Sequence, residues 1–455
     1  MKKWKTIGLI FALFFLFISA DVPQKKVEGP KLHKYRPVNF SDNLHNSLKT
    51  GPQNEEKPFV SGQVLVKFRS SLPRYMRQMA LTAYQADTIT IIPKVDIYQI
   101  KIPEYTSVEE MVYLMKMNPF IEYVEPNYIT HISVTPNDPL FNLQYALSNT
   151  GQILDYVPGS PQGKESADIH APSGWEEETG KDSVIIGIVD TGLDFDHPEL
   201  QNKYVSRGKD FVNNDDDATD DNGHGTMVAS IAAAETNNGI GIAGVAWNCK
   251  ILPAKTQAFD GLGEYAWVIA AIYWLADEGV DVINLSIGGP LTSESEISIL
   301  LEESLKYAYS KGIVLVAAAG NESGPVEYPA AFDKYTIAVA ATDYKDSRWI
   351  ESNFGLEIDV AAPGVEIFGC LPTWYGALYG YGTGTSMSVP HVAGLAALIK
   401  SLKPDLSARD IMNIIRYSAD DINQDLFPGV DDYIGYGRIN IEKALRPIRI
   451  TKIRK

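Results

Sequence analysis

Three short segments of the chain carry an acid, a base and a nucleophile. Asp190 lies in VDTGLDFDHPEL, His224 in NGHGTMVAS and Ser386 in GTGTSMSVPHVAG. A serine hydroxyl is a weak nucleophile at neutral pH, so it needs an imidazole that accepts its proton and a carboxylate that orients the imidazole. The three residue types therefore predict a catalytic triad that attacks a carbonyl carbon.

Each of these residues also has an ordinary structural interpretation when it is taken alone. Asp190 could cap a turn, His224 could cap a helix, and Ser386 could be a helix N-cap. A second histidine, His391, is nearer to Ser386 in sequence. Five residues along a helix turn a side chain by about 500°, or about 140° net, so we expect these two side chains to diverge. His224 is therefore the predicted general base, and His391 is predicted to be structural.

The order Asp, His, Ser and the small residues around each motif resemble the subtilisin-like serine peptidases, especially their calcium-stabilised, thermitase-like members. The likeness extends over residues 58–445. It implies a self-processing serine endopeptidase that hydrolyses peptide bonds of proteins through an acyl-enzyme intermediate. It also implies that Asn321, in AAAGNES, donates to the oxyanion, the alternative being a turn asparagine. The backbone N–H of Ser386, at a predicted helix start, is the second expected donor.

The same resemblance implies a substrate cleft bordered by two backbone segments, against which an extended peptide pairs as an added strand. One segment holds Ser286, Ile287, Gly288 and Gly289, and the other holds Ala318, Ala319 and Gly320. Main-chain pairing of this kind favours broad sequence tolerance. The segment between Asn321 and Tyr328 is short, and the base of the pocket for the residue before the cut stays undefined.

An acidic run from Asp210 to Asp221 precedes the predicted base. Such runs are usually solvated loops, but carboxylates and amides at short spacing also suit a hard cation with many oxygen ligands. The resemblance implies two structural calcium sites, while the triad chemistry needs no metal. The expected ligands are Asp210, Asn213, Asp215 and Asp217 at one site, and Asp138, Glu199 and Asn238 at the other, where Glu199 replaces the commoner aspartate.

The elements that must position these residues follow from the hydrophobic pattern. After Asn137, apolar and β-branched runs such as VIIGIV and GIVLVAAAG alternate with helical stretches such as EYAWVIAAIYWLADEG. This alternation predicts an α/β fold with a doubly wound, mainly parallel sheet, as the resemblance to subtilisin also implies. Asp190 and Asn321 each follow an apolar strand, so we expect both at the carboxyl edge of the sheet, where ligands bind.

A smaller unit is expected before the peptidase region. Residues 58–131 show the order strand, helix, strand, strand, helix, strand, which predicts a small α+β, ferredoxin-like unit. Its VLVKF and IEYVEPNY segments resemble the inhibitory propeptide of the family, which implies that it acts as an intramolecular inhibitor. An unrelated α+β domain is the alternative. The peptidase domain is then expected at 132–445, with a solvated basic tail at 446–455.

The chain begins with lysines followed by a short apolar run. This pattern predicts a secretory signal peptide at 1–20 and a polar linker at 21–57, with an uncleaved anchor as the alternative. A secreted, extracellular protein with no stable membrane association after signal cleavage is expected. The net charge of −17 argues against a nucleic-acid binder. Cys249 and Cys370 lie far apart and are expected to be buried free thiols rather than a disulfide.

Protein or peptide substrates are therefore the expected partners. One rival interpretation is a catalytically silent relative that serves as a binding or scaffold protein. An intact triad and an oxyanion asparagine count against it. The other rival is a processing peptidase of narrow specificity, which cleavage of a random peptide library would separate from a broad degrader.

Overall fold

A computed structural model of the chain describes residues 59–128, 134–154, 162–289 and 298–453. The chain divides into two compact units between Asn127 and Tyr128. The predicted signal peptide and linker lie outside the described residues. The predicted boundary between 131 and 132 also lies outside them and stays a prediction. Within the described ranges, no helix is both long enough and apolar enough to cross a membrane.

The first unit is an antiparallel sheet with two helices. Its elements are β1 (Phe59–Phe68), α1 (Arg74–Ala83), β2 (Asp87–Ile92), β3 (Ile97–Lys101), α2 (Val108–Lys116) and β4 (Ile121–Tyr128). The strand order is β2-β3-β1-β4, and β3 runs antiparallel to both β1 and β2. The predicted α+β, ferredoxin-like arrangement is confirmed.

Local signals explain the second helix of this unit. The Ser107 hydroxyl accepts from the Glu110 N–H at 3.2 Å, and the Glu110 carboxylate accepts from the Ser107 N–H at 3.0 Å. This capping box satisfies two N–H groups that the helix itself leaves free. Met111 and Met115 then point from α2 into a core shared with the alternate residues of β1. The helix thus forms where capping and apolar spacing agree.

The second unit contains a sheet of seven strands in the order β11-β10-β9-β8-β5-β7-β6. All its strand pairs are parallel, which confirms the predicted α/β, doubly wound, mainly parallel fold. The strands are β5 (Ile185–Asp190), β6 (Lys209–Asp210), β7 (Lys250–Lys255), β8 (Val282–Leu285), β9 (Val314–Ala318), β10 (Thr336–Thr342) and β11 (Ile358–Pro363).

Helices cover both faces of this sheet. They include α4 (His224–Ala233) and α7 (Thr385–Leu402) on one face, and α5 (Tyr265–Glu278) and α6 (Ile299–Ser310) on the other. Side chains of one strand alternate between the two apolar cores: Val314 and Val316 of β9 face one core, and Leu315 faces the other. Burial on both faces is why these strands are almost continuously apolar.

The remaining elements surround the sheet. They are α3 (Ala171–Trp175), the antiparallel pair β12 (Ile367–Cys370) and β13 (Tyr379–Gly382), α8 (Ala408–Tyr417) and α9 (Ile441–Ile453). The helix α9 continues into the predicted basic tail at 446–455, as far as Ile453, and the solvation of this tail stays a prediction. The buried Ala444 and Leu445 anchor this helix, which packs against α3 and α7. Cys249 and Cys370 are both buried and free, as predicted.

The strand order places the polar residues of interest on one edge. Asp190 is the last residue of β5, Ser286 follows β8 directly, and Asn321 comes shortly after β9. Because β9, β8 and β5 are neighbours and parallel, their carboxyl ends lie side by side. The shared edge predicted for Asp190 and Asn321 is therefore present.

Candidate active site

Asp190 and His224 form a direct hydrogen-bonded pair. The His224 Nδ1 lies 2.7 Å from Asp190 Oδ1, which also accepts from the Thr191 N–H at 2.8 Å. Asp190 is only 1% exposed, whereas the His224 side chain is 33% exposed. With Nδ1 donating to the carboxylate, Nε2 is the ring nitrogen left to exchange a proton.

The charge of Asp190 governs the protonation of His224. Burial lowers the pKa of His224, but the Asp190 carboxylate, with a smaller contribution from Asp220, outweighs burial and leaves the pKa above its ordinary value. A raised pKa means that the folded protein stabilises the imidazolium. This is the form that a general base reaches after it has accepted a proton.

A buried carboxylate next to the pair, Asp220, holds the loop that starts α4. Its two oxygens accept five hydrogen bonds, from the N–H groups of Asn222, Gly223 and Thr226 and the hydroxyls of Thr191 and Thr226, at 2.6–3.0 Å. Burial raises the pKa of Asp220, but these hydrogen bonds outweigh it and the pKa lies below its ordinary value. Sequence reasoning had placed Asp220 only within an acidic run.

A glycine allows the loop to approach the strand that carries Asp190. A β carbon added to Gly225 would lie 2.3 Å from the carbonyl oxygen of Gly192. The Gly225 N–H also donates to the Thr191 hydroxyl at 2.8 Å. This close contact brings the first turn of α4, and with it His224, against the end of β5.

Ser386 is the second residue of α7 and is half-buried. Its carbonyl oxygen accepts from the Ser286 hydroxyl at 2.8 Å, which ties the start of α7 to the end of β8. N–H groups in the first turn of a helix have no acceptor within the helix. The Ser386 N–H is therefore positioned on an element that can offer it to an anion.

Asn321 is oriented by Thr385. The Asn321 Oδ1 accepts from both the backbone N–H and the hydroxyl of Thr385, each at 2.9 Å. The Thr385 hydroxyl in turn accepts from the Gly320 N–H at 3.2 Å. Since these donors fix which amide atom is oxygen, the Asn321 NH₂ group points away from Thr385.

Gly384 leaves a space open between the serine and the amide. Its φ is +150°, and a β carbon there would lie 3.2 Å from Ser386 Oγ and 3.6 Å from Asn321 Nδ2. The hydroxyl and the amide thus border one small volume. Thr385 and Gly384 were not singled out from the sequence, although the Gly and Thr density around Ser386 was the available signal.

His391 lies elsewhere on the same helix. It is buried, and its Nδ1 lies 2.9 Å from the Met387 carbonyl oxygen. Burial lowers the pKa of His391 to about 4, so it is neutral at physiological pH. This environment agrees with the predicted structural role.

The two predicted substrate segments are joined by residues that close the space between them. The Glu327 N–H donates to the Ala319 carbonyl at 2.9 Å, and the Gly289 N–H donates to the Tyr328 carbonyl at 3.2 Å. Residues 327 and 328 therefore link the segment 286–289 to the segment 318–320. Glu327 is buried between these two segments.

One of the two predicted calcium sets is brought together. The carboxylate of Asp138 accepts from the Asn238 N–H at 3.0 Å, and that of Glu199 accepts from Asn238 Nδ2 at 3.0 Å. Burial, with a smaller contribution from the nearby Asp138 charge, raises the pKa of Glu199. Asn238 faces Glu199 with its amide nitrogen, while its Oδ1 accepts from the Ile240 N–H at 2.9 Å, so calcium at this set also stays a prediction.

The other predicted set is tied up in local contacts. Asp210 accepts from the Asn213 side chain at 2.8 Å, and Asp215 accepts from the Asp217 N–H at 3.0 Å. Asp217 pairs with Arg207 at 2.9 Å. Among the described residues, no three His, Cys, Asp or Glu side chains group as metal ligands. Calcium at this loop stays a prediction.

Comparisons with known proteins agree with this geometry. Residues 181–437 match the subtilase family, and residues 46–127 match the fervidolysin N-terminal prodomain. The chain is 38% identical over 395 residues to the thermophilic serine proteinase of Bacillus sp. strain AK1, covering 86% of this chain and 89% of that protein. It is 39% identical to thermitase of Thermoactinomyces vulgaris, covering 69% of this chain and 99% of thermitase.

A solved structure shows the same likeness. The crystal structure of fervidolysin from Fervidobacterium pennivorans, a keratinolytic enzyme related to subtilisin, aligns with a TM-score of 0.55 and 27% identity. The alignment covers 85% of this chain and 61% of fervidolysin.

Proposed function

The chain belongs to the subtilase family of serine proteases, and we propose that Asp190, His224 and Ser386 are its catalytic triad. The supporting observation is the 2.7 Å contact between His224 and Asp190 at the sheet edge from which Asn321 also emerges. In this proposal, Asp190 fixes the tautomer and orientation of the imidazole. His224 accepts the Ser386 proton, and Ser386 Oγ attacks the carbonyl carbon of a peptide bond.

The negative charge of the tetrahedral intermediate is stabilised by two donors. The Ser386 N–H at the start of α7 is one, and the Asn321 amide, held by Thr385, is the other. Donors that are already oriented need no rearrangement as the charge develops. Collapse of the intermediate expels the amine, which takes the proton from His224, and leaves an acyl-enzyme on Ser386. A water molecule then releases the acid by the same steps.

The experiment that tests the triad uses a fluorophosphonate probe and a peptide substrate. Ser386→Ala should lose labelling and lower kcat by about 10⁶-fold, because it removes the proposed nucleophile that both reactions need. Ser388→Ala is the matched control on the same helix, since the Ser388 hydroxyl donates to the buried Ala362 carbonyl. Labelling retained by the Ser386 variant would refute the assignment and favour the scaffold interpretation.

The matched prodomain supports a further part of the proposal, that the chain processes itself. The segment 58–131 would act as the intramolecular inhibitor and 132–445 as the peptidase. The full-length Ser386→Ala chain should then stay a precursor when it is expressed alone. The folded segment 60–129 should inhibit the mature enzyme at micromolar concentration. Normal maturation of the variant, or absence of inhibition, would remove this part.

Secretion and calcium belong to the same proposal. Residues 1–20 would direct export and 21–57 would form the linker. Asp138, Glu199 and Asn238 would hold one structural calcium ion, and the loop with Asp210, Asn213, Asp215 and Asp217 would hold another. A bound ion would neutralise carboxylates in the folded state and take no part in the reaction.

A further inference from the structure

A buried acid closes the space between the two segments that border the substrate cleft. Glu327 is only 9% exposed. A β carbon at Gly288 would lie 2.3 Å from Glu327 Oε2, and one at Gly320 would lie 2.9 Å from its Cγ and Cδ. The side chain therefore lies between the two segments, directly against a glycine of each.

The two segments are connected to the proposed nucleophile and to the proposed oxyanion amide. The segment 286–289 is tied to Ser386 through the hydrogen bond from the Ser286 hydroxyl, and the other segment leads directly into Asn321. A substrate whose carbonyl carbon lies at Ser386 Oγ would thus direct the side chain before the cleaved bond between the two segments. Glu327 is the group that this side chain meets at the far end.

No cation neutralises Glu327 within the described part of the chain. Besides burial, the influences on its carboxylate among the described residues are a hydrogen bond with Glu322, which needs one of the two acids to be protonated, and the charge of Glu322. Glu322 is exposed, follows Asn321 directly, and accepts from the Asn321 N–H at 3.0 Å. A buried carboxylate without a cationic partner is costly in a folded protein, and such groups are common where a ligand supplies the missing charge.

We propose that Glu327, assisted by Glu322, selects substrates that carry Lys or Arg immediately before the cleaved bond. The inference rests on the proposed function, because it needs Ser386 as the nucleophile. A Lys ammonium or an Arg guanidinium would supply charge and donors to Glu327 Oε1 and Oε2. A large apolar side chain would instead cover the carboxylate and leave it unpaired, which disfavours it.

Protonation of Glu327 should tune this selection. Burial, together with a hydrogen bond to Glu322 and the charge of Glu322, raises the pKa of Glu327 to about 7. Among the described residues, the phenol of Tyr265, at the start of α5, also faces it, and burial and the charge of Glu327 raise the pKa of Tyr265. Only the ionised acid attracts a cation, so selection for Lys and Arg should strengthen as the pH rises through 7.

The experiment compares kcat/KM for matched peptides with the mature enzyme. One pair differs only in Arg against its neutral isostere citrulline before the cleaved bond, and the other in Lys against norleucine. We expect the charged member to be favoured about ten- to hundredfold at pH 8.5, and several-fold less at pH 5.5. Each ratio cancels the pH dependence of His224, which is common to both peptides.

The decisive variant is Glu327→Gln, which keeps the shape and removes the charge. Its preference for Arg over citrulline should fall to within a few-fold of unity and lose its pH dependence, while kcat/KM for the norleucine peptide should rise. Glu322→Gln should reduce the preference only a few-fold, because Glu322 is exposed. Glu165→Gln, an exposed acid with the same change of net charge, should leave all ratios unchanged.

Two outcomes would overturn the inference. In one, the enzyme prefers neutral residues at both pH values. In the other, Glu327→Gln keeps the preference of the parent while its thermal unfolding shows a folded protein. Failure of the proposed function looks different, because then no peptide of either pair is hydrolysed and the fluorophosphonate probe does not label Ser386.

Discussion

Two buried carboxylates beside the active site have opposite surroundings. Asp220, on the side of the histidine, is 2% exposed and accepts five hydrogen bonds from its own loop and from Thr191. Glu327, in the pocket, is 9% exposed and has only another acid as a partner among the described residues. The pKa of Asp220 is lowered, and that of Glu327 is raised to about 7. The carboxylate with five donors organises its loop, whereas Glu327 lacks such donors, and under the inference above a substrate cation would supply them.

The largest expected effect comes from the acid that orients the base. Asp190→Asn should lower kcat by about 10⁴-fold, since an amide would favour the wrong tautomer of His224. KM should change little, and thermal unfolding should show a folded protein. A loss below tenfold at neutral pH would mean that His224 does not depend on Asp190.

The next prediction concerns Asp220, the carboxylate that accepts five hydrogen bonds. Asp220→Asn should lower the free energy of unfolding at pH 7 by about 2–4 kcal/mol, because an NH₂ group would face donors. The folded-state pKa of Asp220 is lowered, so its contribution is present above the unfolded pKa and disappears as the pH falls through the folded one.

Denaturant unfolding at pH 7 and at pH 3 measures the change in the free energy of unfolding. Both proteins carry Ser386→Ala, which prevents self-digestion. The difference between variant and parent should shrink at pH 3. An equal difference at both pH values would assign the effect to packing rather than to charge.

The third prediction concerns the carboxylates that are proposed to bind calcium. Removing calcium with a chelator should lower the melting temperature of the Ser386→Ala protein. An ion that binds only the folded state stabilises it by about 2.7 kcal/mol at one hundred times its dissociation constant. Glu199→Gln and Asp215→Ala should each reduce the effect of the chelator. If the chelator and both substitutions leave the melting temperature unchanged, the two proposed ligand sets are ordinary loop residues.

The smallest expected change in stability is that of Glu327→Gln, and its sign is opposite to that of Asp220→Asn. Glu327→Gln should stabilise the protein at pH 8 by about 1–3 kcal/mol. The pKa of Glu327 is raised above its unfolded value, so its ionisation opposes folding; this cost is absent at pH 4 and complete above pH 7. Denaturant unfolding of the Ser386→Ala protein with and without this change should therefore agree at pH 4 and diverge at pH 8. Destabilisation at pH 8 would mean that a cation already neutralises Glu327.

The comparison also explains which features could be predicted from the sequence. Asp190, His224 and Ser386 lie in motifs whose small neighbours are themselves a signal, and the strands near them are recognisable by burial on both faces. Glu327 lies in SGPVEYPAA, which has no chemical pattern of its own. Its proposed role depends on contact with Gly288, which follows β8 and is distant in sequence, so only the fold reveals this contact.

Two other residues were missed for related reasons. Asp220 is one of several acids in a run, and nothing local distinguishes the one whose oxygens are all used by donors. Thr385 is next to Ser386, but its partner Asn321 arrives from the end of β9. At the C-terminal end, the buried Ala444 and Leu445 anchor the helix that continues into the basic tail.

The strand order of the second unit affects how soon the proposed active site assembles during folding. The active edge combines β5, β8, β9 and the start of α7, whose residues span from Ile185 to Ser386 along the chain. Contacts between such distant residues form slowly, because long loops must close before any contact is gained. The first unit pairs strands within Phe59–Tyr128 and closes much shorter loops. We therefore expect the first unit to fold before the second. If it inhibits as proposed, the chain carries its inhibitor before the triad is assembled.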